Sequence, residues 1–477
     1  KPTKLVGFVV FKHNRPMRQF FISAAHKSSG KTTVTLGLCR ALANSGLKVQ
    51  PFKKGPDYID PIWHAKAARR ASYNLDFNMM RQDEILSLHG RHATAADVSI
   101  IEGNKGLYDG MDVAGSNSNA ALAKMLGAPV ILVLDTIGMT RGIAPLLLGY
   151  QAFDPELRIG GVILNKVGGP RHEDKLRAVL EHYTDIPVLG AIHKNEQLGI
   201  RERHLGLIPG NESSDAEYRI QAIADVVQQQ VDLNAVLAAA GQLPSHAPGR
   251  QAPTPAQPLR VGLIRDAAFG FYYQEDLDTL TALGAELVTV NSLVDAGLPE
   301  LDALIIGGGF PESFIQELSA NAALRRDIAV QAEAGLPIYA ECGGLMYLSR
   351  SIQWEAQKGD MVGLIPGDAV MGERPVGRGY AELSPTGASP LASLERGLIQ
   401  AHEFHHSHLE NLAEGLKYAY KVCRGHGMGQ QKDGFVHRNV LASYCHRRGS
   451  GDLGWIHPFI AQARAYATQR QSSRMAA

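Results

Sequence analysis

The chain has 477 residues, 45% of them hydrophobic and 20% charged, proportions that exclude disorder of the whole chain. Lys+Arg 48 against Asp+Glu 47 leaves a net charge of +1, which gives no electrostatic case for nucleic acid or an anionic membrane as the main partner. No apolar run reaches the roughly 18–20 residues that span a bilayer; the longest candidate, Ala128–Leu148, is broken by Asp135 and Arg141.

The length predicts two or three domains at roughly 100–200 residues each. Four cysteines in such a chain make no disulfide framework and point to a reducing, cytoplasmic setting. Val6–Phe11 is too short for a sorting signal and lacks a small-residue cleavage site. Residues 1–16 therefore read as sequence upstream of the fold.

The first convincing strand is Phe20–Ala24. Ala25-His26-Lys27-Ser28-Ser29-Gly30-Lys31-Thr32-Thr33 follows, then a helical run over Val34–Ala43. This is a P-loop with Ala25 in place of its first Gly. Backbone N–H groups at a helix start cradle phosphates, a Lys reaches the β/γ-phosphates, and a hydroxyl meets Mg²⁺. Ser28, Ser29, Gly30, Lys31, Thr32 and Thr33 are the candidate ATP-binding residues. An ordinary Gly-containing βα turn is the plainer alternative.

Further strands are expected at Val49–Phe52, Val98–Glu102, Val130–Asp135 and Gly161–Asn165. Acids at strand ends complete the metal shell of a P-loop site. Asp57, after the second strand, and Glu102, closing the third, are the candidates with Thr32; either can equally be a helix cap or a surface acid. Asn165 stands where a base-reading side chain commonly lies.

Pro244 to Pro258 contains five prolines and reads as an extended linker. The expected organisation is a domain over 17–240, a linker over 241–258 and a second domain over 259–465. In the second, strands are expected at Val261–Ile264, Glu286–Val290, Ala303–Ile306 and Pro337–Ala340, with antiparallel additions over Gly363–Ser443. Buried runs alternating with helices predict α/β architecture, two doubly wound parallel-sheet domains.

Glu341-Cys342-Gly343-Gly344 follows the last of those strands. A Cys on a sharp strand-to-helix turn is a nucleophile elbow, and the Gly343 N–H can face a developing oxyanion. Gly307-Gly308-Gly309 offers a second backbone donor. His446 is the best candidate base. A lone Cys is more often a small core residue, as expected for Cys39. His402-Glu403-Phe404-His405-His406 formally matches a zinc-binding H-E-x-x-H, but no amphipathic helix surrounds it and no third ligand presents itself. Cys423, His426, Cys445 and His446 lack a compact finger pattern. A phosphate site and a Cys–His site in one chain predict two coupled half-reactions: ammonia released from glutamine through a thioester, and a carboxylate activated by ATP.

The segments KKGPDYIDP (53–61), EGNKGLYDG (102–110), RHLGLIP (203–209), GGGFPE (307–312), AECGGLMYL (340–348), GRGYAE (377–382), HEFHHS (402–407) and VLASYCH (440–446) resemble the cobyrinic acid a,c-diamide synthase family. The resemblance runs from about residue 20 to residue 446. It implies a dethiobiotin-synthetase-like ATPase fused to a class I glutamine amidotransferase domain. It also implies ATP- and Mg²⁺-dependent amidation of the a and c acetates of a tetrapyrrole. Cys342 would be the nucleophile and His446 its base. Tyr58 and Asp109 would face the tetrapyrrole. The implied partners are L-glutamine and a tetrapyrrole polycarboxylate of the cobyrinate, hydrogenobyrinate or siroheme type, without nucleic acid or membrane and with a homodimer left open.

Three departures stand out. The P-loop start is altered, Asn104-Lys105 replaces an apolar pair, and His446-Arg447-Arg448 stands where the family continues H-x-H. Class I amidotransferases often carry a Glu two residues after the His. Arg448 cannot orient an imidazole in that way, which predicts a weakened glutaminase. Lys105, Arg447 and Arg448 would instead favour an acidic substrate. The segment Tyr73-Asn74-Leu75-Asp76-Phe77 lies somewhat closer to siroheme-amidating homologues. The alternative from another class is a P-loop switch ATPase with an inactive amidotransferase-like binding module.

Overall fold

The computed structural model describes residues 17–195, 206–244, 258–391, 397–451 and 454–476, with Gly199, Glu202, Arg203 and Glu395 between them. Residues 1–16, most of the expected linker, and His204 and Leu205 of the RHLGLIP segment lie outside the described residues.

Phe20, Phe21 and Ile22 of the first strand, Arg18–Ala24, are all fully buried. A strand without a polar face must be covered on both sides. It lies inside a parallel sheet whose spatial order is Tyr73–Leu75, Val49–Lys54, Val98–Glu102, Arg18–Ala24, Val130–Asp135, Ile159–Val167 and Val188–His193. Alternate side chains enter separate cores. Phe21 packs with Leu132 and Leu164 on one face, and Phe20 and Ile22 pack with Val34 and Leu38 on the other. The helix Lys31–Asn44 lies so close to Ala216–Gln230 that a Cβ on Gly37 would meet Val227 at 2.3 Å. Gly241–Gln242, at the start of the expected linker, adds to the sheet antiparallel to Arg18–Gln19.

The second domain holds a ten-stranded sheet. Its first five strands in space, Ala285–Val290, Leu259–Ile264, Ala303–Ile306, Ile338–Glu341 and Val440–Ser443, are parallel. The other five, Lys432–His437, Lys417–Arg424, Gly377–Pro385, Ile399–His405 and His446–Arg447, are antiparallel. The sheet is thus mixed, with the antiparallel half in the region where the Gly- and His-rich composition predicts it. The helix Ile456–Ala476 runs beyond residue 465, and its Phe459, Ile460, Ala463 and Ala467 enter the core beneath the parallel half.

The two domains touch through specific polar pairs. Tyr73 donates to Asp278 at 2.8 Å, Tyr380 to Asp76 at 2.9 Å and Asn211 to the Asp266 carbonyl at 2.8 Å. The segment Tyr73–Phe77 therefore serves domain docking. Among the described residues no helix is long and apolar enough to cross a membrane.

Candidate active site

The first strand stands at the point where the chain order reverses, between the strands ending at Glu102 and Asp135. Ligands of open α/β sheets bind at the carboxyl ends of strands at such a point. The loop leaving Ala24 turns through Ser28, at φ 65°, and Gly30, at φ 89°. Both lie in the left-handed region that glycine adopts freely and serine rarely does. A Cβ on Gly30 would strike the Asn165 amide at 2.1 Å. That amide donates to the Ser29 carbonyl at 2.9 Å. Asn165 thus braces the loop from the fifth expected strand. Lys166 adds a second brace, donating to the Ser28 carbonyl at 3.0 Å and to Asp135 at 2.7 Å.

Lys31 is buried beside the loop, and burial lowers its ammonium to about 8 against the opposing pull of Glu102. Such an amine, drawn out of water, gains most from an incoming polyanion. Thr32 Oγ1 donates to Glu102 Oε1 at 2.7 Å and faces Asp60 Oδ2 at 3.4 Å. The Lys53 ammonium lies 2.5 Å from Asp60, 2.9 Å from Glu102 and 4.0 Å from Asp57. His64 Nε2 reaches Glu102 Oε2 at 2.6 Å. Burial would raise the Glu102 carboxyl, but Lys53 and His64 outweigh it and hold it well below its usual range. Burial and the neighbouring Asp60 push Asp57 up to about 6.

The expected pair Asp57 and Glu102 is therefore a triad with Asp60, tied together by Lys53. Asp60 and Lys53 were both in the KKGPDYIDP segment, and their role becomes visible only when the helix Ile59–Ala68 turns Asp60 back toward the strand. Thr32, Asp57, Asp60 and Glu102 are hard oxygen donors of the kind Mg²⁺ takes, one or two carboxylates completed by phosphate and water. Among the described residues no cluster of three His, Cys, Asp or Glu groups has the arrangement of an all-protein metal cage.

The strand Ile338–Glu341 ends at Cys342, whose φ of 49° and ψ of −102° place it on a strained turn into Gly343–Leu348. Such strain in a non-Gly residue is held only by over-determined surroundings. Here the Cys342 N–H donates to the Ser443 carbonyl at 2.7 Å. A Cβ on Gly343 would meet the Gly309 nitrogen at 3.0 Å, and one on Gly308 would meet His446 Cε1 at 2.8 Å. The three glycines of 307–309 thus bring a backbone nitrogen beside the elbow and clear space for the imidazole.

His446 and Cys342 border the same cavity, close enough for the sulfur to raise the imidazole. Its Nδ1 lies 3.3 Å from Glu341 Oε2 and 3.2 Å from the Tyr58 hydroxyl. Glu341 is itself held, accepting from Tyr339 at 2.6 Å and from the Arg447 N–H at 2.9 Å. Burial alone would lower His446, but Cys342 and Glu341 outweigh it and raise the imidazole to about 10. The orienting acid missing after the histidine is thus supplied by the residue before the cysteine. Arg447 is fully buried and paired with Glu395 at 2.5 Å, and Arg448 with Glu84 at 3.3 Å. Neither faces an acidic substrate, as was expected; Lys105 alone of the three lines the cavity.

Tyr58 borders that cavity too. Its ring stacks on Phe271 at 5.4 Å and 3° and lies 4.5 Å from Tyr273. Asp109 is exposed, accepts from the Gly106 N–H at 2.9 Å and closes the 106–109 turn outside the cavity lining. His402 to His405 lie in the strand Ile399–His405, not in a helix, and His406 follows as a bend. His402 faces Tyr273, while Glu403 points away and accepts from the His426 and Gly427 N–H groups at 2.7 and 2.9 Å. A helical i, i+4 ligand pair is not formed.

One cavity of about 910 Å³ joins the two sites. Lys31, Thr32 and Glu102 border it from the first domain, and Cys342, His402 and His446 from the second. Residues 21–207 match the model of the CobQ/CobB/MinD/ParA nucleotide binding domain, and residues 260–450 that of the CobB/CobQ-like glutamine amidotransferase domain. A cobyrinate a,c-diamide synthase of Magnetococcus marinus is 44% identical over 452 residues, 93% of this chain and 96% of the relative. The chain belongs to the cobyrinate a,c-diamide synthase family. Relatives of the same name are 39% identical in Methanosarcina acetivorans, over 90% of this chain and 92% of the relative, and 40% identical in Listeria monocytogenes, over 94% and 100%. The family match agrees with the resemblance seen in the motifs, and with an ATPase half and an amidotransferase half in one enzyme.

Proposed function

We propose that this enzyme amidates the a and c acetate carboxylates of cobyrinate, using ATP and glutamine. The observation that carries this reading is the single cavity bordered by Lys31 and Thr32 on one side and Cys342 and His446 on the other. The Cys342 sulfur attacks the glutamine amide carbon. The Gly343 N–H and a backbone N–H of the 307–309 glycines hold the oxyanion. His446, carrying the sulfur's proton and oriented by Glu341, passes it to the leaving nitrogen, and ammonia departs. Water then cleaves the thioester to glutamate and restores the thiol.

Ammonia crosses the cavity without entering bulk water, where it would be protonated. At the phosphate loop the acceptor carboxylate attacks the γ-phosphorus of ATP, giving an acyl phosphate and ADP. Ammonia displaces phosphate from that carbon. Lys31 and the loop N–H groups offset the charge on the phosphates. Thr32 with Asp57 and Glu102 would hold Mg²⁺, completed by phosphate and water, and the ion would neutralise phosphate charge. A division near residues 242 and 259, with the second domain carried on by the helix that runs to Ala476, and a cytoplasmic setting with reduced thiols belong to the same proposal.

Cys342→Ser should abolish ADP release driven by glutamine and leave ADP release driven by free ammonia with cobyrinate. Loss of both together would deny two separate sites. Ammonia-driven turnover in a panel of cobyrinate, hydrogenobyrinate, sirohydrochlorin and siroheme should be fastest with cobyrinate. ATP hydrolysis indifferent to every tetrapyrrole, with Cys342 inert to a glutamine-mimicking electrophile, would favour the switch ATPase instead.

A further inference from the structure

Arg378, in the GRGYAE segment, takes no part in either half-reaction. Its strand, Gly377–Pro385, runs antiparallel beside Ile399–His405, with Tyr380 opposite His402 and Arg378 opposite Phe404. Side chains so paired, two residues apart along each strand, share one face of the sheet. On that face Tyr380 donates to Asp76 of the first domain and His402 stacks on His446. The face therefore looks across the cavity toward the first domain, and Arg378 and Phe404 continue it along the cavity border. The Arg378 guanidinium lies 5.8 Å from the centre of the Phe404 ring. The backbone beneath is closely packed, since a Cβ on Gly377 would strike His405 Nε2 at 2.3 Å.

Both side chains have binding capacity that the fold leaves unused. Phe404 is 39% exposed, and of the exposed large hydrophobic side chains among the described residues it alone borders the cavity. Arg378 is exposed, and among the described residues its guanidinium has neither a hydrogen-bond nor an ion-pair partner. By contrast Arg350, Arg447 and Arg448 each hold an acid. A planar fork of donors matches a carboxylate bidentately, and an aromatic face matches a flat apolar surface. Across the cavity stands Lys105, also exposed and without an acid partner among the described residues. Its φ of 33° lies in the left-handed region, and the neighbouring Asn104 accepts from the buried Lys54 at 3.2 Å. Backbone strain held in this way beside a cavity points to a side chain that is aimed for use.

We propose that Arg378 and Phe404 are specificity-determining residues that hold the acceptor from the amidotransferase domain. Phe404 takes the flat apolar edge of the macrocycle, Arg378 takes a peripheral carboxylate that is not amidated, and Lys105 supplies a second positive charge on the opposite wall. This rests on the acceptor being a tetrapyrrole polycarboxylate, as proposed above. Glutamine also carries a carboxylate, but its two methylenes offer no flat apolar face to a phenyl ring. The consequence is a division of labour: affinity for the acceptor is set in the second domain, while its carboxylate is activated at the phosphate loop of the first.

The test uses the full-length protein with free ammonia as nitrogen donor, which keeps glutamine chemistry out of the rate. ADP release is measured against cobyrinate concentration, and cobyrinate binding without ATP is titrated by quenching of protein fluorescence. Arg378→Ala should raise KM and Kd for cobyrinate about tenfold or more, the loss of hydrogen bonds to a charged group. Its kcat should stay within about twofold, the mark of binding shared by ground and transition states. Arg378→Lys, which keeps the charge and loses the fork, should recover part of the affinity. Phe404→Ala should raise both constants in the same direction, and Phe404→Tyr should restore them. The KM for glutamine, and labelling of Cys342 by 6-diazo-5-oxo-L-norleucine, should match the wild type in every variant. Arg378→Ala with wild-type KM and Kd for cobyrinate overturns the proposal, as does a fall in kcat at unchanged KM. A rise in KM for glutamine alone also overturns it and gives the guanidinium to the glutamine carboxylate. Wild-type protein that neither binds nor turns over any tetrapyrrole with ammonia overturns instead the acceptor reading beneath it.

Discussion

Glu341 precedes Cys342 by one residue, and its side chain reaches His446 because two strands meet in register. Glu341 pairs with Ser443, three residues before His446. The carboxylate is fixed by Tyr339 and the Arg447 N–H, so it neither rotates nor requires a solvent shell. Glu341→Gln keeps the shape and removes the charge. Glutamine-dependent kcat/KM should fall on the order of 10²-fold, with ammonia-dependent turnover kept. The same substitution has a pH signature. His446 is raised to about 10 by Cys342 and Glu341 against burial. Its contribution to stability is therefore whole below about pH 6.5, the unfolded value, and is lost as pH rises through the folded one. Denaturant unfolding of Glu341→Gln should show a smaller loss that is complete at lower pH than in the wild type; coincident profiles would deny the pairing. Cys342, Lys31 and Thr32 were legible in sequence because each sits in a contiguous motif with local meaning. Glu341 and Asp60 carried no such signal for these roles, since the histidine and the threonine they face lie 105 and 28 positions away.

Elements were easier to foresee than side-chain roles. Continuous apolar runs such as Val130–Asp135 and Ala303–Ile306 have no exposed face, and the expected bounds match the strands found. Tyr73–Leu75 and Val188–His193 escaped notice because the first is three residues long and the second mixes glycine and histidine into its run. The antiparallel half of the second sheet was foreseen only as a region, since its polar alternation gives no strand order. The elbow shows where an element and its glycines are inseparable. A Cβ on Gly344 would lie 2.2 Å from the Ile306 carbonyl oxygen, a backbone atom in the neighbouring parallel strand that cannot move aside. Gly344→Ala should cost about 1–3 kcal/mol of stability, the usual penalty of overpacking. It should also displace the Cys342 turn. The measurement is a denaturant midpoint beside glutaminase rate, and unchanged values in both would show the turn to be looser than its contacts imply.

At the scale of the whole molecule, the two domains are joined by contacts that bear on coupling as well as on stability. Tyr73–Asp278 and Tyr380–Asp76 flank the cavity, and Arg448, the residue that looked anomalous after the catalytic histidine, meets Glu84 of the ATPase domain at 3.3 Å. Both members of that pair are largely shielded, at 11% and 18% exposed, so it is worth more than a surface pair but still only about 1 kcal/mol. Arg448 lies two residues from His446, and its tether reaches the helix Gln82–Ala93. An ion pair of this size cannot hold the domains together alone, but it adds one more contact between the two domains that share the cavity. Arg448→Ala should therefore leave glutamine hydrolysis standing and lower the amide formed per glutamate released. The loss should be matched by Glu84→Ala and not deepened in the double variant, the signature of one shared interaction. Raising ionic strength should weaken the wild-type ratio in the same direction, less than for exposed charges because the pair is partly buried. Additive losses in the double variant would mean that each side chain acts through other neighbours, and the tail after His446 would then need a different explanation.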